Sequence, residues 1–318
     1  MGPPHSKMKL DTVAIIGVGL IGGSIGLALR QRSLARTVVG IGRTASRLRV
    51  AEEIGAVSWV TTDVAQGVAD AELIVVCTPV EHVVACVQQV SRACPAEALI
   101  TDAGSTKGEI CHALAAGLAG GGRFVGSHPM AGSEKSGPEF ADPNLFEGCV
   151  TVVTPMATVP VGGVSGSAQA GSGDPSCGEP ELGGPLAASA TSAPVAEVEA
   201  FWRSLGARVL RMSPDEHDRA VAEISHLPHL LASALAAGAD PEDLVLAATG
   251  WRDTTRVAAG DVELWRQIFF ENRRQVLQSL DKFEKVLSEF RQALEGNDPA
   301  ELVRLLELGK RNRDSVAS

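Results

Sequence analysis

The sequence predicts an α/β fold: a Rossmann-like, doubly wound parallel sheet followed by an all-helical domain. Three observations carry this expectation. Short apolar runs alternate with helical stretches through the first half. A glycine-patterned turn, GVGLIG at 17–22, follows the first of those runs directly. After Pro214 strand signals vanish and only helical spacing remains.

Taken in order, Thr12–Gly17 is a β-rich apolar run, and Leu20–Arg30 reads as the helix behind it. Thr37–Ile41 is a second strand, and Ala45–Ile54 a helix closed by Gly55. Leu73–Thr78 (LIVVCT) is continuously apolar, as expected of a parallel strand covered on both faces. Val80–Cys94 is helical. Ala98–Asp102, Phe124–Gly126 and Thr151–Thr154 are further strands. Residues 157–193 are Gly, Ser, Ala and Pro with almost no large apolar side chain. Such a stretch cannot offset its ordering entropy by burial, so it is expected to be a disordered surface insertion. The fold resumes with helix Val195–Leu205, stopped by Gly206, and strand Arg208–Met212.

Four helices are expected beyond that point: His217–Ala237, Pro241–Ala248, Val262–Leu294 and Pro299–Lys310. Asp240–Pro241 and Asp298–Pro299 have the N-cap and first-turn chemistry that starts a helix. Apolar residues recur at Ile268, Phe269, Val276, Leu280, Phe283, Val286, Leu287 and Phe290, a wide stripe at helical spacing. A long striped helix of this kind often packs on a symmetry mate, so a homodimer is expected. The expected domains are 8–213, dinucleotide-binding, and 214–318, helical.

Composition narrows the function. The 318 residues carry a net charge of −10, which argues against a nucleic-acid or anionic-membrane partner. No apolar run reaches the ~18 residues of a membrane span, and the polar start with Pro3 and Pro4 does not read as a leader. Six cysteines show no CxxC spacing, so no metal or redox pair is expected. Reduced thiols fit a cytoplasmic location.

GxGxxG is weak alone, but a strand before it and a helix after it are the context that gives it meaning. Gly17 permits the tight turn, Gly19 lets a pyrophosphate approach the backbone, and Gly22 lets helix and strand pack. Leu20 and Ile21 complete the turn at the helix N-terminus, whose N–H groups and dipole favour phosphate. Thr78, the last residue of LIVVCT, and Pro79 after it are expected beside the same ligand. NAD enzymes often carry Asp or Glu ~20 residues on. Here Gly42 stands in that place, followed by Arg43 and Thr44. No carboxylate would repel a 2′-phosphate, so NADP is favoured over NAD. Arg43 stacking on adenine would suit either.

Four polar clusters remain: DAGSTKG at 102–108, GSHPMAGSEKSG at 126–137, SHLPH at 225–229 and GWRDTTR at 250–256. With ELW at 263–265, this ordered set resembles the prephenate/arogenate dehydrogenase family, from about Val13 to Phe290. The resemblance implies an oxidative decarboxylation of prephenate, or of arogenate in the alternative, with hydride transfer to NADP or NAD in tyrosine biosynthesis. It implies His128 as catalytic base, in a loop after a strand, and Ser105 as its partner. A histidine suits that work because its unperturbed pKa lies near neutrality. A packing role for His128 and a helix N-cap for Ser105 are the plainer alternatives.

The resemblance also implies Arg256 as anchor of the ring carboxylate, where a guanidinium gives a two-pronged bond. Asp253 orients it by helical spacing, or the two form a surface ion pair. His229 lies near the substrate side chain, His226 supports the wall, and Trp265 closes the pocket or is simply core. His217 is expected at the domain junction, with Glu134 and Lys135 at the rim. His229 favours prephenate, since an apolar residue there goes with arogenate users. A non-catalytic dinucleotide sensor is the remoter reading, one that would not require His128, Ser105 and Arg256 together.

Overall fold

The computed structural model describes residues 9–132, 135–155 and 192–316. The expected insertion, apart from Ser192 and Ala193, lies outside them. The chain divides into two compact units, Met1–His217 and Asp218–Ser318.

The first unit is built on one eight-stranded sheet. Its elements are β1 (Leu10–Ile16), α1 (Leu20–Gln31), β2 (Ala35–Ile41), α2 (Ala45–Glu53), β3 (Trp59–Thr61), α3 (Val64–Val68), β4 (Leu73–Val76), α4 (Val80–Ser91), β5 (Leu99–Asp102), α5 (Gly108–Leu114), β6 (Arg123–Pro129), β7 (Val150–Thr154), α6 (Ala193–Ser204) and β8 (Arg208–Arg211). The strand order is β3-β2-β1-β4-β5-β6-β7-β8. β1 to β6 run parallel, β7 pairs antiparallel with β6, and β8 runs parallel to β7.

Alternation along the strands feeds two cores. Val13, Ile15, Leu73 and Val75 pack with α1, α2 and α6 on one face; Ala14, Ile16, Ile74 and Val76 pack with α3, α4 and α5 on the other. Each buried leucine, isoleucine or valine side chain contributes about 1.5–3 kcal/mol by leaving water. That accounts for continuously apolar strands with no polar face.

The second half is helical, as expected of it. α7 (Pro214–Val221) leads into a π-helical turn, Ala222–His226, and then α8 (Leu227–Ala237). α9 (Thr249–Thr255), α10 (Val262–Glu271), α11 (Arg273–Glu295) and α12 (Pro299–Asp314) follow.

Several expectations are corrected. The single helix 262–294 is two. Asn272 breaks it, because its amide donates to the Asp218 carbonyl at 2.7 Å and meets His226 Nδ1 at 3.2 Å. Residues 241–248 do not form a helix beyond one 3-10 turn, Asp243–Leu246. Asp240 there turns its carboxylate onto the Glu242 N–H at 3.0 Å, closing a local turn instead. Asp298 does cap α12, accepting from Ala300 and Glu301. The π turn was not expected; Pro228 has no N–H to give the Ile224 carbonyl, and the helix widens ahead of it. β3 and α3 were not expected either.

Candidate functional site

The strand order reverses between β1 and β4, so the turns beyond these neighbours open a crevice at the sheet's carboxyl edge. Gly17 lies there at φ +90°, and a Cβ on it would sit 2.6 Å from the Cys77 carbonyl oxygen. No other residue fits. A Cβ on Gly22 would sit 2.3 Å from the Gly17 carbonyl oxygen, so α1 can approach the turn only because that atom is missing. Gly19 differs: a Cβ there would meet nothing within 4 Å.

Gly19 is also the N-cap of α1, and no side chain caps that helix. Leu20 and Ile21 form its first turn, half-buried. Across the crevice, Thr78 Oγ1 is buried with no hydrogen-bond partner, and Pro79 is the N-cap of α4. Open space over Gly19, uncapped N–H groups and an orphaned hydroxyl fit a dinucleotide phosphate.

At the end of β2, Arg43 and Thr44 are exposed, with Ser46 and Arg47 beside them in sequence. Thr44 is the N-cap of α2 and makes no side-chain cap. A Cβ on Gly42 would press on Leu48 Cδ2 at 3.1 Å.

Beyond β5 the backbone is fixed by a buried ion pair. Asp102 and Lys107 are both fully buried and hydrogen-bonded to each other, closing the DAGSTK loop. The Asp102 carboxylate also accepts from Gly104 N–H at 2.9 Å and from Ser127 N–H at 3.1 Å. Ser127 Oγ donates to the Asp102 carbonyl at 2.6 Å and accepts from Trp202 Nε1–H at 2.9 Å. One carboxylate therefore holds the loop carrying Ser105 and the strand residue next to His128. Ser105 is half-buried. It does not cap α5, whose N-cap is Lys107 with no side-chain cap.

His128 belongs to β6 itself, not to a loop after it. β7 returns antiparallel and pairs His128 with Val152, which extends the strand to Pro129. The imidazole is 8 % exposed, and its Nδ1 lies 2.8 Å from Nε2 of His217, which is fully buried. The first unit thus gathers the glycine turn, Thr78, Ser105 and His128 at one sheet edge. Lys135 Nζ lies 5.1 Å over the Phe140 ring; Glu134 lies outside the described residues.

In the second unit, His229 is buried and stacked on Trp265, with 3.6 Å between ring centroids. A Cβ on Gly260 would strike Trp265 Nε1 at 2.9 Å, so this glycine backs the stack. His229 Nδ1 is buried without a partner, and burial pushes its pKa below the usual histidine value. His226 is buried against Asn272 and edge-on to Trp265. Arg256 and Asp253 are both exposed at the end of α9, and no ion pair joins them; helical spacing alone does not bring these two together. Among the described residues no group of three or more His, Cys, Asp or Glu could hold a metal ion.

The helical run Pro214–Ala237 has the length and composition of a membrane span. It also contains three buried histidines with polar or ring partners, which suits a protein interior better.

Sequence reasoning missed Asp102, Lys107, Ser127 and Asn272, and gave His217 no role. The first two bracket the DAGSTK run, a signal that was available.

Known proteins resemble this chain along most of its length. The family model for the prephenate dehydrogenase nucleotide-binding domain matches residues 25–161, and that for the prephenate dehydrogenase dimerization domain matches 213–308. A curated prephenate dehydrogenase of Bacillus subtilis is 29 % identical, aligning over 98 % of this chain and 77 % of its own length. The crystal structure of an A. aeolicus prephenate dehydrogenase with hydroxyphenyl propionate and NAD+ is 28 % identical, with a TM-score of 0.81, covering 98 % of this chain and 100 % of its own. Synechocystis arogenate dehydrogenase is 27 % identical, with a TM-score of 0.73, covering 96 % and 99 %.

Proposed function

The chain belongs to the prephenate dehydrogenase family, and we propose that it converts prephenate to 4-hydroxyphenylpyruvate by oxidative decarboxylation in tyrosine biosynthesis. The observation that carries this is His128, held at the sheet's carboxyl edge with Nδ1 hydrogen-bonded, in the unit that also carries the open glycine turn.

Gly17, Gly19, Gly22, Leu20 and Ile21 would hold the pyrophosphate, with Thr78 and Pro79 on the facing wall. When bound, the nicotinamide supplies an acceptor for the hydride leaving the hydroxyl-bearing ring carbon. His128 takes the hydroxyl proton, and Ser105 hydrogen-bonds the same hydroxyl or orients the imidazole. Carbon dioxide leaves the quaternary carbon as the ring becomes aromatic, so no base is needed there. Arg256 binds the ring carboxylate, which it can grip with two N–H groups. His229 donates to the side-chain carboxylate or keto group, Trp265 provides the flat wall, and His226 braces that wall through Asn272.

NADP is the preferred acceptor in this reading, because Arg43 and the uncapped start of α2 at Thr44 suit a 2′-phosphate and no carboxylate stands at Gly42. Arogenate is the second reading; the likeness to the Synechocystis enzyme supports it. The chain works as a homodimer through its second unit, where Phe270, Leu277, Leu287 and Leu294 are exposed along α10 and α11. A cytoplasmic location suits the thiols. Among the described residues Cys77, Cys86, Cys94 and Cys149 are free thiols, and burial raises the pKa of Cys86 to about 11.

A steady-state matrix of prephenate and arogenate against NAD and NADP tests the proposal through absorbance of the reduced cofactor. Turnover is expected to be fastest with prephenate and NADP. No turnover with either substrate would overturn the assignment.

A further inference from the structure

We infer that His217 is the positioning residue that sets the proton location on His128. This rests on the reading of His128 as the base. The two imidazoles meet at one hydrogen bond, Nδ1 of His128 to Nε2 of His217 at 2.8 Å, with the rings edge to face at 72°. Only one of these two nitrogens can donate when both rings are neutral.

The two arrangements differ in chemistry. If Nδ1 of His128 carries the proton and donates, its Nε2 holds a lone pair and can take a proton from substrate. If His217 donates instead, His128 must carry its proton on Nε2 and has nothing to accept with there. Base catalysis therefore requires His217 as the acceptor, with its own proton on Nδ1. When His128 then takes a proton at Nε2, its Nδ1–H continues to donate to His217. The bond fixes the ring plane in both protonation states, the part a carboxylate plays for the histidine of a serine protease.

His217 is itself rigidly placed. It is fully buried on the first turn of α7. That turn is closed by a capping box: Glu216 accepts from Ser213 N–H at 2.8 Å, and Ser213 Oγ accepts from Glu216 N–H at 3.2 Å. The His217 N–H donates to the Ser213 carbonyl at 2.9 Å. A capping box whose Glu216 directly precedes the buried imidazole fixes the helical turn that carries it.

The test compares His128→Asn, His217→Leu and His217→Gln in the full-length protein, with the tautomer of His128 read by 15N shifts of labelled histidine in the wild type. Glutamine places a carbonyl oxygen near the position of Nε2 and keeps an acceptor; leucine keeps bulk without one. His217→Leu is expected to lower kcat by about 100-fold or more with KM within about threefold. His217→Gln should retain kcat within about tenfold. The wild-type resonance assigned to His128, absent in His128→Asn, should show a protonated Nδ1.

A protonated Nε2 on His128 would overturn the inference, even if the leucine variant does not fold. So would equal kcat loss in the leucine and glutamine variants, or full kcat in His217→Leu beside an inactive His128→Asn. Full turnover in His128→Asn would instead remove the base assignment itself, and this inference with it.

Discussion

The imidazole of His229 lies flat on the indole of Trp265, 3.6 Å between centroids and 14° between planes. Neither ring reached this arrangement by helical spacing, since they stand on α8 and α10. The close packing at Gly260 leaves the pair no room to part. A stacked, buried imidazole is cheaper neutral than charged, and burial lowers its pKa accordingly.

That lowering has a sign. The unfolded chain takes up a proton at His229 near pH 6.5, while the folded chain resists it until lower pH. The stabilisation is therefore complete above about 6.5 and is lost as pH falls below it. Denaturant melts at pH 7.5 and 5.5 should show a smaller loss on acidification for His229→Asn than for wild type. An identical loss in both would place the titration elsewhere.

Arg256 should control substrate affinity rather than the chemical step. Removing a charge-assisted contact of about 1.5–3 kcal/mol raises KM roughly 10- to 150-fold. Arg256→Gln is expected to show that rise with kcat much less affected. An unchanged KM would move the carboxylate anchor to another cation.

Asp102 should matter for stability more than any residue the reaction touches. Asp102→Asn leaves the Lys107 ammonium buried without its carboxylate, at a cost of about 3–5 kcal/mol. Replacing the pair together, Asp102→Leu with Lys107→Met, should recover much of that loss in thermal melts. Activity should not return with it, because Ser127 N–H and the Ser105 loop lose their common acceptor.

Arg43 should discriminate between the two cofactors. Arg43→Ala is expected to raise KM for NADP about tenfold or more while moving that for NAD less than threefold. Equal effects on both would mean that the side chain stacks on adenine and does not bind phosphate.

Local chemistry was readable in the sequence and distant pairing was not. Gly17 announces its turn through its own backbone, at φ +90°, and Gly22 through the Gly17 carbonyl oxygen five positions back. Asp298 caps its helix for the same reason. His128 reads as a loop residue because nothing near it in sequence reveals β7 returning alongside. Its bond to His217 spans 89 positions. Asn272 looks like one more polar residue on a striped helix until Asp218 and His226 claim its amide. Asp102 and Lys107 bracket a run that the sequence does single out, but the burial of the lysine is not legible there, since a lysine beside glycine and threonine reads as surface.

The reversal at β7 has a consequence for how this chain tolerates change. Thr151 pairs with Pro129 and Thr154 with Gly126, so β7 heads away from the sheet's carboxyl edge as it ends. The chain leaves the sheet at Pro155 and returns at Ser192, where α6 begins its crossover to β8. Pro155 follows the residue paired with Gly126, at the opposite end of the β6–β7 ladder from Pro129. Lengthening, trimming or grafting a foreign sequence between Pro155 and Ser192 is therefore expected to be a change of cargo, made at the back door of the enzyme.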